Sequence, residues 1–138
     1  MTNRFTIAVA FGAIFASAPV VHAASPEDAA IKQAATEIIR VLKTQGAPGM
    51  QAYVQNCYAQ QGQNLHCLYL DAGASQINNY MAGVMNAPRN PYFFGLPYAQ
   101  RIGPTMKAAG IVPEQQGVYL KNLYSVQRSA LYAAYVAK

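Results

Sequence analysis

Apolar positions recur at intervals of three and four along most of the chain, and runs of strict apolar/polar alternation are absent, so the pattern predicts helices and no strands. Ser25-Pro26-Glu27-Asp28 opens the first helix with a capping serine, a proline at the first helical position and two carboxylates at the positive end of the dipole. Ile31, Ala34, Ala35, Ile38 and Leu42 form its apolar stripe, Lys32, Gln33, Glu37, Arg40 and Lys43 take the other side, and Gly46 ends it. Ala47-Pro48-Gly49 reads as a turn, after which Met50, Tyr53, Val54, Cys57 and Tyr58 mark a short second helix to about Gln61. A third, from about Leu65 to Asn86, has an unusually wide apolar face: Leu65, Leu68, Tyr69 and Ala72 on one stripe, Cys67, Leu70, Ala74, Ile77, Met81 and Val84 on the next. It is the expected central helix.

Residues 87–97 break the pattern with three prolines and a glycine, yet hold Tyr92, Phe93 and Phe94 in succession. A fourth helix is expected from about Pro97 to Ala109, bent where Gly103-Pro104 removes a backbone donor, with Gly110 as its stop. Pro113-Glu114 starts a fifth that runs almost to Lys138. Tyr119, Leu123, Val126, Ala130 and Ala133 share its inner face, and Tyr124, Tyr132 and Tyr135 lie off it. The expected fold class is all-α, a compact bundle of about five helices.

The first residues follow a different logic. Arg4, an apolar stretch from Phe5 to Val21 broken by Gly12 and Pro19, and Val21-His22-Ala23 read as an export signal over residues 1–23. A permanent anchor is the alternative, since a span needs about 20 apolar residues; the proline and the small-residue ending suit cleavage better. Residues 24–138 then form one domain, with no second apolar run long enough to span a bilayer, and the expected location is periplasmic or secreted.

Cysteine usage fits that compartment. Cys57 and Cys67 are the only two, and in an oxidising environment they are expected to form one disulfide stapling a helical hairpin across the turn Gln61-Gly62-Gln63-Asn64. A reactive or metal-binding thiol would want a CxxC pair or clustered histidines, which the chain lacks.

Charge changes the picture modestly. Residues 24–138 hold nine Lys or Arg against five Asp or Glu, and past residue 86 the only acid is Glu114. A basic half favours an acidic partner, an anionic lipid surface or the cell wall. The basic residues are spread singly rather than as a phosphate-tracking run, and the compartment argues against nucleic acid.

Candidate chemistry is sparse. His66, the one histidine left after cleavage, lies five positions before Asp71, which does not put the two on one helical face. Asp71 interrupts an apolar helix; its expected role is structural, through a salt bridge or hydrogen bond to Arg101 or a tyrosine, because a catalytic acid would want a partner carboxylate. Met81 and Met85 sit four apart, as core methionines do. Haem-attachment, dinucleotide and phosphate-loop motifs are absent, so no cofactor or metal is expected.

One segment has the composition of a recognition site. Arg89, Tyr92, Phe93 and Phe94, with Tyr98 one turn on, combine aromatics, an arginine and stiffening prolines, as interface hot spots do; the same aromatics could instead fold back and plug the bundle's open end. The functional expectation is a non-catalytic binding or inhibitory protein of the cell envelope that presents this segment to a protein partner. The alternative is a small-ligand carrier or small enzyme using an inter-helix cavity around Asp71.

Overall fold

The computed structural model describes residues 25–138, which form an all-helical body. The export signal read over residues 1–23 lies outside the described residues. Helix α1 spans Pro26–Gln61, α2 Leu65–Val84, a short 3-10 turn Pro91–Phe93, α3 Gly95–Ala108 and α4 Pro113–Val136.

Four helices, not five, result because the expected first and second helices run into each other. Gly46 leaves helical conformation at φ 71° and ψ −171°, but no separate turn follows it. Pro48 falls within the first positions after this break, where its missing N–H is one the break already leaves without a helical partner. The helix therefore restarts at once, and the expected turn at residues 47–49 becomes a kink.

Ser25 accepts the Asp28 N–H at 3.1 Å and fixes the start of α1. Its inner face buries Ile31, Ala34, Ala35, Ile38, Ile39 and Val41 before the kink and Met50, Val54 and Cys57 after it. Asn64 starts α2 by accepting the His66 N–H at 2.8 Å. The three-residue turn between α1 and α2 is closed by the Cys57–Cys67 disulfide, whose Cα atoms are 5.6 Å apart, as the spacing predicts.

Helix α2 is the centre of the molecule. Every residue from Cys67 to Ser75 is buried, so for more than two turns it is surrounded on all sides. Gly73 permits a close approach: a Cβ there would lie 3.1 Å from Ile38 Cγ2 on α1 and 3.2 Å from Gln127 Nε2 on α4, tight enough that these side chains would have to give by a few tenths of an ångström. That gap lets α1 and α4 close over α2.

Helix α3 carries Pro104 inside its assigned span and ends before Gly110, which has φ 84°. Helix α4 is rotated from the expected orientation. Its buried line is Leu123, Gln127 and Leu131, while Tyr119, Val126 and Ala130 are only half-buried and Ala133 is exposed. The rotation follows from Gln127, which reaches inward to donate to the Tyr69 carbonyl at 2.7 Å and accepts from Gln76 at 2.9 Å. Lys43 of α1 reaches the far end of α4, donating to the carbonyls of Ala134 at 3.0 Å and Ala137 at 2.8 Å. A cation on the last carbonyls complements the negative end of the helix dipole. No helix among the described residues is long and apolar enough to cross a membrane.

Candidate functional site

Asp71 is fully buried on α2, and its two oxygens are fully engaged. Oδ1 accepts from Arg101 Nη2 at 2.9 Å; Oδ2 accepts from Arg101 Nε at 2.9 Å and from the Tyr58 hydroxyl at 3.1 Å. Arg101 continues outward, donating to the Pro97 carbonyl at 2.8 Å and the Tyr92 carbonyl at 2.7 Å, with its guanidinium 3.5 Å from the Tyr92 ring centroid. A planar fork is the group suited to this, because it meets the carboxylate in two parallel bonds and keeps donors for backbone oxygens. Burial pushes the Asp71 carboxyl above its ordinary range, against the opposing pull of Arg101 and Tyr58. Arg101 loses by desolvation but is held above its ordinary value by the bonds to Asp71.

This ion pair organises the segment singled out by its composition. Phe93 is wholly buried, its ring edge-on to Tyr92, and its carbonyl accepts from the buried Ser75 hydroxyl at 2.8 Å. Asn78 holds the backbone of Asn90 from both sides, accepting from its N–H at 2.9 Å and donating to its carbonyl at 3.2 Å. Tyr98 is 8 % exposed and its hydroxyl pairs with that of Tyr124 at 2.8 Å, which ties the network to α4. Of the five residues expected to meet a partner, Phe93 and Tyr98 thus belong to the core. Tyr92 and Phe94 are half-buried, and Arg89 is exposed with its guanidinium 5.1 Å from the Phe94 ring centroid. The segment has its backbone tied down and its middle ring, Phe93, turned inward.

Apolar surface lies instead at the two helix ends that the segment joins. Tyr80 is 61 % exposed, Val84 66 %, Met85 62 % and Leu96 68 %. Tyr80 and Val84 are one helical turn apart and share a face of α2; Leu96 stands in the first turn of α3. The sequence pattern places Val84 on the inner stripe of this helix and reads Met85 as a core methionine, and both are exposed because the helix ends beyond the packed body; Tyr80 and Leu96 do not stand out, since single apolar residues near helix ends are ordinary.

A second polar cluster sits beside the disulfide. Glu37 of α1 accepts a short hydrogen bond from the Tyr53 hydroxyl, and its other oxygen lies 3.4 Å from His66 Nε2 of α2. His66 therefore pairs with Glu37 and not with Asp71. With Asn56, Cys57, Gln60, Gln61 and Leu70 these side chains line a depression of about 90 Å³. That is the share of roughly three waters in the liquid, far below the roughly 300–1,000 Å³ of a cavity for a drug-sized ligand. A larger depression of about 410 Å³ between α1 and α4 is open to solvent, lined by Lys32, Thr36, Ser129, Ala130, Ala133 and Ala134. Asp71 lines neither of these two depressions, and its oxygens are taken by Arg101 and Tyr58.

A third cluster joins the start of α1 to α2 and α4. Glu27 accepts from the hydroxyls of Tyr119 at 2.6 Å and Tyr69 at 3.1 Å. Among the described residues no buried side-chain nitrogen or oxygen lacks a partner, and no group of three metal-ligating side chains occurs. Neither protein-family models, curated proteins nor solved structures give a match to this chain.

Proposed function

We propose that this is an exported, non-catalytic binding or inhibitory protein of the cell envelope, and that it meets a protein partner with the end of the bundle where α2 passes into α3. The observation that carries this reading is the coincidence of exposed apolar side chains with fixed backbone. Tyr80, Val84, Met85 and Leu96 stand in solvent on either side of a segment held by Asn78, Ser75 and Arg101. A surface ordered before docking loses little conformational entropy when it docks, so its apolar contacts convert more fully into affinity. Arg89 stacked on Phe94 adds a cation and an aromatic at the same place, the residue types that dominate interface energetics. The polar groups that could otherwise serve chemistry, Asp71 above all, are engaged with one another.

The experiment is affinity capture from an envelope extract by the oxidised protein, followed by reconstitution of the complex from the purified partner. A Val84→Ser, Arg89→Ala, Leu96→Ser variant changes only exposed positions, where substitutions shift stability by about 0.5 kcal/mol or less. The reading requires a partner whose binding is lost in that variant. Equal capture by both proteins would move the interface elsewhere.

A further inference from the structure

The outer face of α4 carries a second organised surface, independent of the partner reading above. Opposite the buried line Leu123, Gln127 and Leu131, the residues Val118, Lys121, Ser125, Arg128, Tyr132 and Tyr135 follow at alternating intervals of three and four, and all are exposed. They form one stripe of about 26 Å at the helical rise of about 1.5 Å per residue. Val118 is 65 % exposed, Tyr132 70 %, Tyr135 56 % and the adjoining Val136 54 %.

Beyond Glu114, which is exposed one turn before Val118 at the start of the stripe, charge on this face has one sign. No acidic side chain follows Glu114, whereas Lys121, Arg128 and Lys138 do. Glu27 is bonded to Tyr119, which lies on α4 but off this stripe, and Glu37 and Asp71 are engaged with groups on other helices. The last turn is also held in place, because Lys43 bonds the Ala134 and Ala137 carbonyls, so the exposed tyrosines sit on a fixed helix end.

We propose that this face of α4 docks on an anionic membrane surface. Tyr132, Tyr135 and Val136 enter the headgroup layer, where an amphipathic ring keeps its hydroxyl hydrated and buries its body. Lys121 and Arg128 lay their aliphatic stems along the same surface and set their charges against lipid phosphates. The stripe is convex and follows a single helix, with its cations on the middle turns and its rings at the end, so a flat surface meets it along its whole length. A recessed acidic pocket on another protein would reach only one end of it.

The test is flotation of the oxidised protein with lipid vesicles. Residues 25–138 are used, because they close their own core around Ile38, Leu70, Phe93 and Leu123 and a leader would bind lipid by itself. The protein should float with vesicles of equal parts phosphatidylglycerol and phosphatidylcholine and not with phosphatidylcholine alone. Replacing Lys121 and Arg128 together by alanine should lower the partition coefficient on the order of 25-fold, about fivefold per cation. A Tyr132→Ser, Tyr135→Ser variant should lose at least about tenfold, from two ring bodies no longer buried. The Val84→Ser, Arg89→Ala, Leu96→Ser variant should lose no more than about fivefold, the effect of its one removed cation, which separates this surface from the protein-partner one. No flotation with the anionic vesicles, equal flotation with both kinds, or flotation unchanged in either α4 variant would overturn the proposal, the first also being what an acidic protein as the true occupant would give.

Discussion

Replacing Asp71 by asparagine keeps the shape of the side chain and removes its charge, which isolates what the ion pair contributes. The guanidinium of Arg101 would then face an amide where it now has two parallel bonds at 2.9 Å, and the Tyr58 hydroxyl would lose its charged acceptor. The Arg101 side chain is 17 % exposed and Asp71 0 %, so water can restore little of the lost interaction. Breaking a buried pair from one side typically costs about 3–5 kcal/mol, against a total stability of about 5–15 kcal/mol for a domain of this size. Removing both charges, as in Asp71→Leu with Arg101→Met, leaves neither one stranded and should be milder than the sum of the two single changes by at least about 2 kcal/mol. Urea unfolding at neutral pH of the native protein, Asp71→Leu, Arg101→Met and the double variant completes the cycle, with Asp71→Asn measured beside them. Amide exchange adds a local readout, since Arg101 also holds the Tyr92 carbonyl: Asp71→Asn should lower protection at Phe93, whose N–H bonds the Asn90 carbonyl at 3.2 Å. Single variants each within about 1 kcal/mol of the native protein, or additive effects in the cycle, would refute the assignment of this pair as the organiser of the 3-10 segment.

Three further outcomes follow from other parts of the fold. Replacing Cys57 and Cys67 by alanine should lower stability by about 2–3 kcal/mol through the freed unfolded chain, measurable as a lower urea midpoint with helical circular dichroism retained below it; an unchanged midpoint would deny the staple its role. Gly73→Ala should be net destabilising in thermal unfolding, because the crowding of the added carbon against Ile38 and Gln127 at 3.1 and 3.2 Å, about 1–3 kcal/mol in a packed centre, outweighs the roughly 1 kcal/mol that alanine gains over glycine in a helix; a stabilised variant would show that these two side chains give way freely. Seven of the ten tyrosines have raised pKa values: burial is the main cause for Tyr58, Tyr69, Tyr92, Tyr98, Tyr119 and Tyr124, and the Glu37 hydrogen bond for Tyr53. The native state then keeps protons that the unfolded chain gives up near pH 10, so stability is intact below that pH and falls above it, by about 1.4 kcal/mol per pH unit for a group as buried as Tyr98. The tyrosinate absorbance of these seven should therefore rise in a cooperative step together with loss of helix, and full ionisation of all ten tyrosines with the helices intact would contradict it.

Helix starts were the most legible part of the chain, because Ser25-Pro26, the turn before Leu65 and Pro113 are local devices that act wherever the rest of the fold goes. The disulfide was legible for the same reason: ten positions across a tight helical turn leave Cys57 and Cys67 within bonding reach. Gly46-Ala47-Pro48-Gly49 has the composition of a turn, but only Gly46 leaves helical conformation and the helix restarts at once beyond it. The aromatic segment was ambiguous because the groups that turn Phe93 inward, Ser75 and Asn78, sit on another helix. Gln127 escaped notice altogether. A glutamine between apolar positions reads as a surface residue, and its burial depends on a free carbonyl face on Tyr69 and the missing side chain at Gly73. That glycine, flanked by Ala72 and Ala74 in the most apolar helix, was the available signal of a close helix crossing. Helical spacing relates His66 only to residues of its own helix such as Asp71, while its partner Glu37 comes from α1 through the hairpin.

The most direct test of the proposed function is photo-crosslinking in living cells, with a photoreactive amino acid placed at Leu96 and, in a separate strain, at exposed Gln33 on the polar face of α1. The account predicts one discrete protein adduct from position 96, none from position 33, and loss of the adduct when Val84→Ser and Arg89→Ala are added. The absence of any adduct at 96, or the same adducts from both positions, would contradict the claim that this end of the bundle meets a protein partner.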